Sequence, residues 1–368
     1  MLYDLAEQVF DYLVRPFSIG PSSRLFASNW IVFLTCGFVV FALAARRGKS
    51  PGTSPLAFIF PREFYLHRST LTDFKIYIAN FFVRFSAPGL KTFNTSLVAT
   101  PFCALAAPLF ADGTMREPTY AAFVLLTILI AMANDLVTYS VHRLTHECGV
   151  LWPFHEVHHS AEVMTPLTLY RKHPFYSFGH SLLYPFIAGP VIGVLIAAFG
   201  QLSFVQILGM NMVYAIFNFA GANLRHSHIW ISFGPILSRI FVSPAMHQIH
   251  HSIDPKHYNK NYGEVFALWD WIFGSLYIPE GREKITFGIL DEEGVNRVQP
   301  HATLREAYFR PFFDSYGAIK RSLRRPASRH DGPSEAAGPD LAVTPAQGTA
   351  DQSGPGSMQP EPAEASTA

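Results

Sequence analysis

The strongest constraint in this sequence is a set of apolar stretches too long for the core of an ordinary soluble domain. Asn29 to Ala45 contains no charged side chain and stops at Arg46 and Arg47. Tyr120 to Val141 carries one charge, Asp135. Phe178 to Phe199 and Leu202 to Ala222 follow each other across Gly200 and read as a hairpin. Ser96 to Phe110 is also apolar, but Pro101 and Pro108 interrupt it, so it reads as bent or re-entrant. A helix needs about 20 apolar residues to cross a bilayer core, and it satisfies its own backbone there. The expected fold is therefore an all-α integral membrane protein with four to five membrane helices. Composition agrees: 15% of residues are charged, against about 25% in a typical soluble domain.

Charge then sets the expected orientation. Between the first two stretches lie Arg46, Arg47, Lys49, Arg62, Arg68, Lys75, Arg84 and Lys91. Arg143, Arg171, Lys172 and Arg225 flank the later ones on the same side, and the opposite side holds only Arg15, Arg24 and Arg116. By the positive-inside rule the first side is cytoplasmic, and a bacterial cytoplasmic membrane is the expected location. The net charge of +1 offers no field for nucleic acid. Three cysteines, Cys36, Cys103 and Cys148, suggest no disulfide framework. The N-terminus has acidic residues where a secretory signal has basic ones, and Leu5, Val9 and Leu13 suggest a short helix on the membrane surface. The expected division is 1–95 (surface helix, first span, connector), 96–310 (catalytic membrane domain) and 311–368 (tail). From Arg325 the tail is rich in Pro, Gly, Ala and Ser and is expected to be disordered.

One phrase occurs twice: HEVHHS from position 155 and HQIHHS from position 247. On a helix the histidines of HxxHH stand at i, i+3 and i+4, so their imidazoles can converge. Neutral imidazole is a common ligand for transition metals. HRLTH adds His142 and His146 at the end of the third stretch, and RHSH adds His226 and His228 after the last. The expected metal ligands are His142, His146, His155, His158, His159, His226, His247, His250 and His251, with His228 as the alternative to His226. Nine is too many for one tetrahedral ion, which takes four, and suits two. Asp135 shares a helix face with His142; it is either an acceptor orienting an imidazole or a plain helix-end polar residue.

The set HRLTH, HEVHH and HQIHH resembles the fatty acid hydroxylase superfamily, also called the sterol desaturase family. DLVTYSVHRLTH and NKNYGEVFALWDWIFGSLY share its look, so the resemblance covers roughly residues 120–280. It implies membrane helices carrying a cytoplasmic helical cap, with a di-iron site held by histidines. It also implies O2-dependent hydroxylation or desaturation of a lipid: a fatty acyl chain, a sterol or an ether lipid. HRLTHE resembles the alkylglycerol monooxygenase branch, in which the glutamate matters. Glu147 is then either functional or a solvated helix-end acid. RKHPF, with His173, resembles the sterol desaturase side instead. No dinucleotide fingerprint follows a strand, and GPVIGVLIAAFG lies inside an apolar stretch. Electrons are expected from a separate ferredoxin, or from a cytochrome with its reductase. Two other classes compete: a zinc-dependent membrane hydrolase with Glu147 as base, and a non-catalytic metal-binding or transport protein, which would hold its ligands nearer the midplane.

Overall fold

The computed structural model describes residues 27–49, 52–86, 95–110, 119–199, 221–291 and 294–324. The expected N-terminal surface helix and residues 202–220 of the fifth apolar stretch lie outside them. The described residues are helical, with only isolated β-bridges and no strand among them.

Three helices have the length and composition to cross a membrane: α1 (Ala27–Arg46), α4 (Tyr120–Glu147) and α6 (Pro174–Phe199). Among the helices between α1 and α4 are α2 (Arg68–Ser86) and α3 (Ser96–Ala106). The stretch expected as a second span is α3 followed by one 3-10 turn, and it is too short to stand among the long three. Its place is set by α6, where Gly189 and Gly193 bring the two backbones together. A methyl group on Gly193 would collide with the Ala99 carbonyl and with Cys103. Small residues four apart are a common way for membrane helices to approach closely. The 28 residues of α4 extend about 42 Å, roughly two turns beyond a hydrocarbon core of about 30 Å. Its C-terminal turns carry His142 and His146.

Among the remaining helices are α5 (Trp152–His159), α7 (Pro244–His250), α8 (Leu268–Ile272) and α9 (Leu304–Arg324). A fully buried guanidinium lies between α2 and α5. Arg171 donates to the Val157 carbonyl (2.7 Å), Asp73 Oδ1 (2.9 Å), Ser160 Oγ (2.9 Å) and the Gln299 side chain. Thr168 donates to the other Asp73 oxygen at 2.8 Å. One cation thus ties α2, the C-terminus of α5 and the 299 segment together. This corrects the charge count above. Arg171 is buried, and so is Arg225, which pairs with Glu264 at 3.5 Å. Charges spent on internal partners say nothing about membrane sidedness.

A second correction concerns residue 310. A capping box starts α9: Glu306 N–H donates to Thr303 Oγ1 (3.2 Å) while Thr303 N–H donates to the Glu306 carboxylate (3.0 Å). The helix then runs on through Arg324, burying Ala307, Pro311 and Ser315. Tyr308 donates to Asn80 on α2 at 2.7 Å. Residues 311–324 are therefore helical and packed, and do not belong to the tail.

Replacing Arg171 with Met leaves the Asp73 carboxylate buried without its cation. The expected loss is about 3–5 kcal/mol of stability, read as a lowered unfolding temperature in detergent. An unchanged midpoint would contradict this account of Arg171.

Candidate metal centre

Nine imidazoles sort into two groups, with the ligand nitrogens inside each group within 4.8 Å of one another. The first group is His142, His146, His155, His159 and His250; the second is His158, His226, His247 and His251. Helix periodicity explains the division. Along α5, His155 and His159 stand one turn apart and enter the first group, while His158 points to the second. On α7 the order is reversed: His247 and His251 share a face in the second group, and His250 crosses to the first. The two copies of HxxHH are thus used in opposite senses. Ser243 starts α7 by accepting from Met246 N–H (3.3 Å), with Pro244 in the first turn. His226 follows the helical residues 221–225. His228 lies apart, its Nε2 2.7 Å from the Phe58 carbonyl oxygen.

The nitrogens approach one another closely. Nε2 to Nε2 distances are 3.1 Å for His250–His159, 3.0 Å for His247–His226, 3.2 Å for His251–His247 and 3.4 Å for His226–His158. Two backbone carbonyls fix tautomers in the first group. His142 Nδ1 lies 2.7 Å from the Tyr262 oxygen, and His250 Nδ1 lies 2.8 Å from the Lys260 oxygen. A carbonyl only accepts, so both Nδ1 atoms carry the proton and both Nε2 atoms present a lone pair. The Nε2 atoms of His142, His146 and His155 are buried with no hydrogen-bond partner among the described residues. Burial holds His155, His158, His159, His247 and His251 well below the usual imidazole range, and neighbouring imidazoles push the same way. Burial brings His250 down to about 4. These rings are neutral at pH 7, the state that coordinates metal. The buried, unpartnered Nε2 lone pair of His142, and the Nε2 atoms of His146 and His155 beside it, are satisfied by a cation, so the donor set fits bound transition metal. An all-imidazole set suits iron, zinc, copper or nickel.

One loop orients both carbonyls, and two carboxylates grip it. Asp270, on α8, accepts from Tyr262 N–H and Gly263 N–H, each at 2.8 Å, and from Ser275 Oγ at 2.6 Å. Asp135 accepts from Val265 N–H (2.9 Å) and Phe266 N–H (3.0 Å). The expected Asp135–imidazole bond is therefore replaced by bonds to the loop backbone, and Asp135 acts on His142 only through the loop. Asn261 completes the grip. It takes a left-handed conformation (φ 57°), which Asn tolerates better than most residues. Its amide donates to the Met246 and Tyr277 carbonyls and accepts from Tyr277 N–H.

Glu147 belongs to neither group. Half exposed, it pairs with Arg143 at 3.0 Å and accepts from the Tyr262 hydroxyl at 3.4 Å. His173 also lies apart, its Nε2 3.1 Å from the Tyr308 carbonyl. A cavity of about 290 Å³ reaches both groups, touching His142 and His155 on one side and His158, His226 and His247 on the other. Thr138, Tyr176 and His180 line it along α4 and α6. His180, unremarkable in the sequence, sits there with Nε2 3.4 Å from Thr138 Oγ1.

Residues 127–275, which hold every one of these histidines, match the model of the fatty acid hydroxylase family. Among curated relatives, it is 27% identical over 163 residues to an alkylglycerol monooxygenase of Caenorhabditis elegans, covering 44% of this chain and 28% of the relative. It is 31% identical to the ornithine lipid hydroxylase OlsE of Rhizobium tropici, covering 45% of each. A Delta(7)-sterol 5(6)-desaturase of Candida glabrata is 24% identical over 76% of this chain and 70% of its own length. The matched region thus spans less than half of the first two relatives. No solved structure is significantly similar to the chain.

Replacing Asp270 with Ala frees the Tyr262 and Gly263 amides and loosens the carbonyl that holds His142. Metal affinity is expected to fall about 10–100-fold, measured by chelator competition on the folded protein. Unchanged affinity would show that the loop does not position the ligands.

Proposed function

We propose that this domain is a membrane-bound di-iron oxygenase that hydroxylates or desaturates a C–H bond of a lipid. The observation that carries the reading is the sorting of nine imidazoles, eight of them buried, into two adjoining groups beside one cavity. A single zinc hydrolase site needs about four ligands and would leave five of these rings unexplained. The names of the relatives, a monooxygenase, a hydroxylase and a desaturase of lipids, support an oxidoreductase acting on lipid.

Under this reading the five-histidine group holds one iron and the four-histidine group the other. Bound there, iron supplies O2 activation and the oxidising power to break an unactivated C–H bond. The chain's own contribution is positional. Burial keeps the imidazoles neutral. The Lys260 and Tyr262 carbonyls hold His250 and His142 in the tautomer that offers Nε2. Asp135 and Asp270 hold the loop that carries those carbonyls. Glu147 supports Tyr262 at the rim. The cavity, partly apolar through Leu169 and Tyr176, admits the reacting part of the substrate next to both groups. Each turnover draws electrons from outside, and a ferredoxin, or a cytochrome with its reductase, is the proposed donor. The basic connector at 46–91 supports a cytoplasmic-side site, even after Arg171 and Arg225 are discounted.

The test is turnover of lipid pools under 18O2 by iron-loaded protein in nanodiscs with an artificial reductant. The proposal predicts O2-dependent oxidation, with label entering the lipid if the product is an alcohol, and its loss in His158→Ala protein that remains folded. Full turnover by that variant, or product formation without O2, would overturn the proposal.

A further inference from the structure

Helix α9 is built the wrong way round for a soluble surface. The residues it buries fully are small, Ala307, Pro311 and Ser315, with Tyr308 and Phe312 packed beside them. Its other large apolar side chains point outward, with Phe309 62% exposed, Phe313 74% and Leu323 80%. Tyr316 continues the same stripe at helical spacing. A run of exposed aromatic and aliphatic side chains this long marks a contact with something apolar.

We propose that α9 lies on the bilayer surface, its phenylalanine face in the headgroup–acyl boundary, and holds the cap against the membrane. Three observations choose a bilayer over a protein partner. Three helices of membrane length stand among the described residues, so a bilayer adjoins the protein. Arg305 and Lys320 stand on the exposed stripe and Arg310, Arg321 and Arg324 beside it, against Asp314 and Glu306, so the helix carries the charge that anionic headgroups attract. Lys320 Nζ stands 4.4 Å over the Tyr316 ring, with its stem along the apolar face and its ammonium at the edge, as interfacial lysines arrange themselves.

The placement matters because α9 also touches the metal-bearing helix. Phe312 packs on Phe154 of α5 with ring centroids 5.1 Å apart, and on His173 at 5.5 Å. The Tyr308 carbonyl meets His173 Nε2 at 3.1 Å. The helix that seats on lipid is therefore one residue layer from the helix that carries His155, His158 and His159. Seating α9 fixes the height of the histidine groups above the acyl chains.

The test uses nitroxide labels on single cysteines at 309, 313 and 323, and at 310 and 314 for contrast, in a chain whose three native cysteines are serine. The protein is held in nanodiscs of phosphatidylcholine and phosphatidylglycerol. Power saturation compares access to O2, which dissolves in lipid, with access to a water-soluble nickel chelate. Labels at 309, 313 and 323 are expected to favour O2, and those at 310 and 314 to favour nickel. Nickel access at 309 and 313 equal to that at 310 would overturn the proposal. Low access to both reagents at 309 and 313 would also overturn it, by showing a protein cover such as a second copy. Position 323, on the last turn, gives the same contrast if labelling near α5 disturbs folding. The readout involves neither metal nor turnover, so its failure is separate from failure of the oxygenase reading.

Discussion

Two carbonyl oxygens in one loop set the chemistry of the first histidine group. Lys260 and Tyr262 each accept from an Nδ1, and that single bond decides which nitrogen of His250 and of His142 keeps a lone pair. The loop is irregular and cannot rely on a helix or strand ladder for its shape. Four of its amides are instead taken by two carboxylates from different helices, Asp135 on α4 and Asp270 on α8. Bonds of amides to a carboxylate are charge-assisted and among the stronger ones available. The orientation of His142 and His250 therefore depends on two buried acids, neither of which is bonded to an imidazole.

The same economy appears in the helices. Two copies of one six-residue phrase serve two groups because α5 and α7 contribute in opposite senses: two histidines and one, then one and two. Neither phrase completes a group by itself. His142 and His146 from the end of a membrane-length helix, and His226 from the segment after 221–225, make up the remainder. The orientation of α5 in turn rests on Arg171, whose guanidinium takes the Val157 carbonyl between His155 and His158. A buried cation costs desolvation energy, and here that cost is offset by several acceptors at once.

Periodic features were legible in the sequence. The apolar length of 29–45, 120–141 and 178–199 corresponds to three of the long helices. The i, i+3, i+4 spacing of HxxHH picked out side chains that the fold does bring together, and His226 joins them while His228 does not. Non-periodic features were not legible. Ser96–Phe110 has apolar composition but not the length to stand with α1, α4 and α6. Arg171 and Arg225 looked like loop charges because a one-dimensional reading cannot see partners such as Asp73, 98 positions away. The NKNYG loop carried a visible signal, Asn259 and Asn261, which both take left-handed backbone, but its part in holding imidazoles depends on Asp135, 130 positions upstream of Val265. The stripe on α9 was obscured by placing a boundary at 310, within the helix.

The most direct measurement is the metal content of protein purified in detergent after growth in iron-replete, zinc-limited medium. The account predicts about two irons per chain, with His247→Ala removing the iron of the four-histidine group far more readily than the other. A single ion per chain, or zinc alone under those conditions, would contradict the assignment of two adjoining iron sites.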